Sequence, residues 1–218
     1  MTALVCQDLG RMAYGPALDL QRERVLDVQA APEGPAYLLL VEHDPPVITT
    51  GRRPAAGHVL ATPERLAREG IQTWATSRGG SVTYHGPGQL VGYPIVRLAA
   101  VGLGVRDYVH VLEDALIGLL ARWGVDAGRA EGMTGVWVGQ EKIAAIGVAV
   151  SRGVTYHGFA LNVATDLTHF GLIVPCGLAG RGVTSLSRCL GRPVAVDDVK
   201  PAAAEAVREA LGLVATAP

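Results

Sequence analysis

GVWVG (Gly135–Gly139) and KIAAIGVAV (Lys142–Val150) are separated only by Gln140-Glu141. Two apolar, β-branched runs joined by so short a polar connection predict a β-hairpin. GVTYHGFALNV (Gly153–Val163) follows at once and extends the same sheet. Working toward the N-terminus, AYLLLVE (Ala36–Glu42), IQTWATS (Ile71–Ser77), SVTYH (Ser81–His85) and LVGYPIV (Leu90–Val96) read as further strands. Helices interrupt them singly. Val105, Tyr108, Val109, Leu112, Ala115, Leu116, Leu119, Leu120 and Trp123 fall on one face at helical spacing, and Gly124 stops the run. Pro16 opens a helix to about Ala31, and Asp198-Val199-Lys200-Pro201 opens another to about Leu211. Hairpin-paired strands with single helices between them predict one α+β domain over residues 1–218, undivided by any linker.

The 218 residues are enough to bury a core without staples, and 49% hydrophobic against 18% charged residues excludes a disordered chain. The net charge of −1 gives no general affinity for nucleic acid. No apolar run is long enough to span a membrane, and the N-terminus lacks the basic and apolar regions of a signal peptide. Cys6, Cys176 and Cys189 cannot all pair with one another, which fits a reducing compartment, the cytoplasm. No Cys/His spacing for zinc occurs, and no phosphate-loop motif.

Four features bear on chemistry. RGGSVTYHGPGQ (Arg78–Gln89) interleaves glycines with donors, which suits a backbone that approaches a ligand and equally suits a pair of tight turns. Cys176 lies between Pro175 and Gly177, a setting for an exposed nucleophile on a turn or for an ordinary structural cysteine. Cys6 and Cys189 lack such flanks and read as structural. Lys142 is one of only two lysines among 19 basic residues and opens an apolar strand. It is either a strand-edge residue reaching water or a cation beside a thiol. VTYHG occurs at Val82–Gly86 and again at Val154–Gly158, so His85 and His157 are expected to face one pocket. A Cys–His pair using Cys176 is a competing constellation.

In order along the chain, the segments Arg78-Gly79-Gly80-x-x-Thr83-Tyr84-His85-Gly86-Pro87-Gly88-Gln89-x-x-x-Tyr93, Lys142–Gly147, Thr155–Asn162 and Pro175-Cys176-Gly177 closely resemble the lipoyl(octanoyl) transferase family. The likeness runs from about Tyr37 to Leu186; the acidic residue in His43-Asp44-Pro45-Pro46 departs from the family's pattern. The resemblance implies a mixed, mainly antiparallel sheet with surrounding helices, similar to the catalytic domain of biotin and lipoate protein ligases. It implies octanoyl transfer from octanoyl-acyl carrier protein to a lysine of the lipoyl domains of 2-oxoacid dehydrogenase E2 subunits and of the glycine cleavage H protein.

Carried over residue by residue, Cys176 is the expected acyl-thioester nucleophile and Lys142 the residue that lowers its pKa and shuttles protons. Arg78, Gly79, Gly80, Ser81, Val82, Thr83, Tyr84 and His85 form one expected substrate-contacting segment. Ala145, Ile146 and Gly147 form a second, and Gly158, Phe159 and Ala160 a third. No cofactor or metal is expected. Thioester exchange is nearly balanced and thioester-to-amide transfer runs downhill, so no ATP is required. Two other readings compete. An ATP-dependent lipoate protein ligase of the same fold would not need Cys176, and a noncatalytic lipoyl-domain-binding protein would need neither Cys176 nor Lys142.

Overall fold

The computed structural model describes residues 2–53, 57–174 and 181–215. The elements begin with β1 (Ala3–Met12), α1 (Tyr14–Ala30), β2 (Ala36–His43), β3 (Val47–Thr50), α2 (Pro63–Arg68) and β4 (Gln72–Ala75). They continue with β5 (Val82–His85), β6 (Gln89–Ile95), α3 (Val105–Arg122), β7 (Gly128–Ala130), β8 (Met133–Val138) and β9 (Glu141–Ser151). The chain closes with β10 (Val154–Asn162), β11 (Gly182–Val183), α4 (Leu186–Leu190), α5 (Val196–Ala210) and β12 (Val214–Ala215). Single 3₁₀ turns lie at Leu98–Val101 and Leu167–Leu172.

The expected hairpin is β8–β9, and β10 returns antiparallel along β9 with Gly158 opposite Gly147. The main sheet runs β12-β1-β2-β6-β10-β9-β8-β7, with β11 added parallel to β9. Its pairs are antiparallel except β1 with β2, β1 with β12 and β11 with β9. This is the mixed, mainly antiparallel sheet of an α+β fold. Strand β1 has no counterpart in the sequence reading. It joins by parallel pairing to β2 through the α1 crossover.

Both faces of the sheet are covered. Leu112, Leu116 and Leu119 of α3, with Val199, Ala203 and Val207 of α5, pack on Leu38, Leu40, Leu90 and Leu161. On the other face Ala17, Val25 and Val28 of α1 meet Leu39, Val41, Val91 and Tyr93. Each buried leucine contributes about 1.5–3 kcal/mol, so these two layers hold the sheet rigid. Helices α1 and α5 each start two residues before the expected position. Pro16 still sits in the first turn, where its missing N–H costs no hydrogen bond. Pro201 instead lies inside α5.

A second sheet, β4-β3-β5, stands over the main one with its own core of Ile48, Leu66, Ile71, Val82 and Tyr84. The expected strand at Ile71–Ser77 is trimmed to Gln72–Ala75 because the following residues turn into the loop before β5. That loop crosses onto the main sheet, where Gly79 N–H donates to Val148 O at 2.9 Å. The gap between the two sheets is the site. Among the described residues, no helix is long and apolar enough to cross a membrane.

Candidate active site

A cavity of about 410 Å³ opens between the two sheets. Its floor is the β9–β10 pair, where Ala145, Ile146 and Gly147 lie beside Gly158, Phe159 and Ala160. Arg78, Gly79, Gly80, Ser81, Val82, Thr83 and His85 form the opposite wall, and Lys142 and His157 complete the lining. Each expected substrate-contacting segment thus reaches one space. Of those residues Tyr84 does not line it. Strand alternation turns its side chain into the small sheet's core, where its hydroxyl lies 2.8 Å from His169 Nδ1.

The Gly-rich wall is held by Arg78. Its buried guanidinium donates to Thr49 O at 2.6 Å, Thr49 Oγ1 at 2.9 Å, Gly79 O at 2.9 Å and Ser81 O at 3.2 Å. One cation thus ties strand β3 at Thr49 to the loop carbonyls of Gly79 and Ser81. Gly147 lets the loop sit close, because a Cβ there would come within 3.1 Å of Gly79 O and 3.2 Å of Arg78 Cδ.

Two buried histidines, His85 and His157, line the inner end of the site, and a third, His43, packs against His85 with ring centroids 5.9 Å apart. Backbone carbonyls, which can only accept, set the tautomers of His85 and His43. Thr184 O accepts from Asn162 Nδ2 at 3.0 Å, so Asn162 Oδ1 accepts from Gln89 Nε2 at 2.9 Å. Gln89 Nε2 also donates to Tyr84 O at 3.2 Å, which leaves Gln89 Oε1 to accept from His85 Nδ1 at 2.8 Å. His85 therefore carries its proton on Nδ1 and a lone pair on Nε2. By the same logic His43 Nδ1 donates to Met12 O at 3.0 Å.

His157 sits at φ +56°, and its backbone N–H donates to Gln21 Oε1 at 2.9 Å. Burial holds all three imidazoles neutral. The pKa of His43 falls to about 4, that of His85 to about 3 with help from His43, and that of His157 to about 4 with help from the Arg78 charge.

At the outer end Lys142 Nζ donates to Thr134 O at 3.0 Å and stands 4.7 Å from the Trp137 ring centroid, with the Arg181 guanidinium 5.4 Å from the same centroid. A β-bulge between Val136 and Trp137 aims this part of β9. Strand β11 runs beside it, with Val183 in register with Lys142 and Thr184 N–H donating to Lys142 O at 3.0 Å. Cys176 lies outside the described residues; Phe170 before it and Val183 after it both line the cavity. Cys6 and Cys189, expected as structural, are exposed free thiols. Among the described residues no cluster of His, Cys, Asp and Glu could hold a metal. Sequence reasoning did not single out Tyr14, Tyr93 or Asn162 as lining residues, although Tyr93 and Asn162 stood in the quoted motifs.

Comparison with known proteins fits this site. The family described as "Lipoyl protein ligase A/B catalytic domain" matches residues 13–208. An octanoyltransferase from Alkaliphilus metalliredigens is 51% identical over 188 residues, covering 86% of this chain and 85% of its own. One from Mycobacterium leprae is 51% identical over 216 residues, covering 96% and 88%. Among solved structures, a bipartite lipoate protein ligase from Thermoplasma acidophilum superposes with a TM-score of 0.76 at 16% identity, over 100% of this chain and 86% of that one. A biotin protein ligase from Aquifex aeolicus gives 0.53 at 10% identity, over 97% and 69%, so both show the shared fold. With half its residues shared over most of its length, the chain belongs to the octanoyltransferases of the lipoyl protein ligase A/B catalytic-domain family.

Proposed function

We propose that this chain moves an octanoyl group from octanoyl-acyl carrier protein through a thioester on Cys176 to a lysine ε-amine of a lipoyl domain, on 2-oxoacid dehydrogenase E2 subunits or glycine cleavage H protein. The observation that carries this reading is the placement of Lys142. Its amine lines the same cavity as the Arg78–His85 wall, and the chain on either side of Cys176 lines that cavity too.

In the first step Lys142 takes the thiol proton of Cys176. The thiolate attacks the carrier thioester carbonyl, a new C–S bond forms, and the old C–S bond breaks as the carrier thiol leaves with a proton. In the second step the incoming lysine amine attacks the enzyme thioester and gives up a proton. The C–S bond breaks and Cys176 leaves as thiolate. Proton traffic falls to Lys142 because His85 and His157, with pKa values near 3 and 4, are poor bases at neutral pH.

Ala145, Ile146, Gly147, Gly158, Phe159 and Ala160 hold the acyl chain. Arg78 shapes the wall, its guanidinium donating to Thr49, Gly79 and Ser81. The two carrier proteins visit in turn, because both must reach one sulfur, and a reducing cytoplasm keeps that sulfur available.

Intact-mass measurement after mixing with octanoyl-acyl carrier protein tests the route. One octanoyl group is expected without ATP, removed by hydroxylamine and absent from Cys176→Ala. An adduct that persists in Cys176→Ala sinks the assignment, and transfer that requires ATP supports the ligase reading instead.

A further inference from the structure

Helix α3 places one carboxylate where its sequence pattern asks for an apolar residue. Glu113 is only 3% exposed and lies among Leu112, Leu116 and Leu120. A buried carboxylate is costly unless every lone pair is used. Glu113 Oε2 accepts from Arg129 Nε at 2.8 Å and from His110 Nδ1 at 3.0 Å. Its other oxygen, Oε1, accepts from the backbone N–H of Gly135 at 2.8 Å.

That N–H belongs to the same peptide group as Thr134 C=O, the group that accepts from Lys142 Nζ at 3.0 Å. A carboxylate, one peptide plane and one ammonium therefore stand in line. Charge on Glu113 pulls on the N–H, and a peptide polarised at its N–H is a stronger acceptor at its carbonyl. Gly135 makes the arrangement possible. It sits at φ +120°, and a Cβ there would lie 2.6 Å from Ala144 O and 3.3 Å from Lys142 Cε.

We propose that Glu113 is a positioning residue for Lys142, acting through the Thr134–Gly135 peptide to orient the amine and to favour its protonated form. The inference rests on the Lys142 role given above only for its consequence in transfer; the coupling itself is a property of the fold. Other charges bear on the two groups. Arg181 and Lys142 both lie over the Trp137 ring, and Arg53, Arg78 and His85 line the same cavity. Glu141 precedes Lys142 on β9 and pairs with Arg188 at 3.4 Å. Asp114, beside Glu113, pairs with Arg129 at 2.7 Å. Glu113 acts on Lys142 along the axis of a hydrogen bond rather than through open space.

The chain has two lysines, Lys142 and Lys200, so Nζ resonances of lysine-labelled protein titrate without crowding. Lys200, held by Asp8 at 2.9 Å and Asp197 at 2.6 Å, is the internal reference. In Glu113→Gln the Lys142 titration is expected to move down by roughly half a unit to one unit, with Lys200 unmoved. Arg129→Gln removes the exposed partner and spares the Gly135 contact, so its Lys142 titration should hold or rise. Glu113→Asp keeps the charge but withdraws it from Gly135, and covers the case in which the glutamine variant does not fold; it too should lower the Lys142 value. An unmoved Lys142 in the Gln or Asp variant overturns the proposal. So does a downward shift in Arg129→Gln, which would mark general loosening. None of these readings uses octanoyl transfer, so failure of the Lys142 catalytic role would show separately, as a Lys142 titration that shifts while transfer does not change.

Discussion

His43 Nε2 lies 2.6 Å from the Tyr93 hydroxyl oxygen, and both groups are buried. Burial keeps the His43 ring neutral, and with Nδ1 committed as donor to Met12 O, Nε2 accepts from the Tyr93 hydroxyl. The same holds for His85, whose Nδ1 proton goes to Gln89. His157 shares their burial. The folded protein thus resists protonating three imidazoles that the unfolded chain protonates freely below pH 6.5.

The sign of the pH dependence follows. Folded pKa values near 4, 3 and 4 lie below the unfolded value of 6.5. In that window the unfolded state binds more protons, so stability is full above pH 6.5 and falls as pH drops toward 4. Each imidazole should remove on the order of 1–2 kcal/mol by pH 5. The urea midpoint measured between pH 7 and pH 5 should fall, and more shallowly in His43→Gln. A flat midpoint across that range would show that the cluster is charged in the folded state.

Gly158 and Gly147 face each other across β10 and β9, but alanine should act differently at each. A Cβ on Gly158 would stand 2.6 Å from Pro94 Cδ and closer still to Gly92 O, which are parts of a buried strand that cannot retreat. Gly158→Ala should cost about 1–3 kcal/mol or more, read as a lower Tm. A Cβ on Gly147 meets the loop at Gly79 and Arg78, which can shift by a few tenths of an ångström. Gly147→Ala should leave Tm nearly unchanged and raise KM for the acyl donor. Equal loss of Tm in both variants would mean that the loop is as unyielding as the sheet.

Ala145 and Ala160 are cross-strand partners that both line the cavity. Ala145→Leu would add three carbons to the floor on the half-buried strand and shorten the space for the chain. Octanoyl transfer should drop about tenfold or more, while a butanoyl donor keeps most of its rate. Equal losses for both donors would place the acyl chain elsewhere.

The hairpins, the α3 stripe and the cavity-lining segments were legible because period-2 and period-3.6 patterns and dense motifs lie in consecutive residues. Strand β1 was not, since its parallel pairing to β2 depends on a crossover that no local pattern announces. Tyr84 shows the limit of carrying over a motif segment whole. Alternation along β5 sends its side chain to the core while its neighbours Thr83 and His85 line the cavity. Glu113 carried a signal that went unread. Val109, Glu113, Leu116 and Leu120 follow helical spacing, so a charge stood on the buried face. The His85–Gln89–Asn162–Thr184 chain joins residues from distant parts of the sequence, and only the fold brings them together.

Lys142→Arg separates charge from proton transfer. Arginine supplies a fixed cation and does not deprotonate in a protein. It can also stack on Trp137, where Lys142 Nζ now stands 4.7 Å from the ring centroid. If Lys142 only stabilises a thiolate, the variant should transfer octanoyl at a near-normal rate. If it must also accept a proton, Cys176 should keep its reactivity toward iodoacetamide while transfer to the lipoyl domain falls about a hundredfold or more, the usual worth of a general base. The second outcome is expected. Because Cys6 and Cys189 are exposed thiols, labelling must be read in a Cys6→Ser, Cys189→Ser background or by peptide mass. Loss of both reactivity and transfer would instead assign the effect to geometry, since arginine is a bulkier planar cation than the amine that now bonds Thr134 O at 3.0 Å.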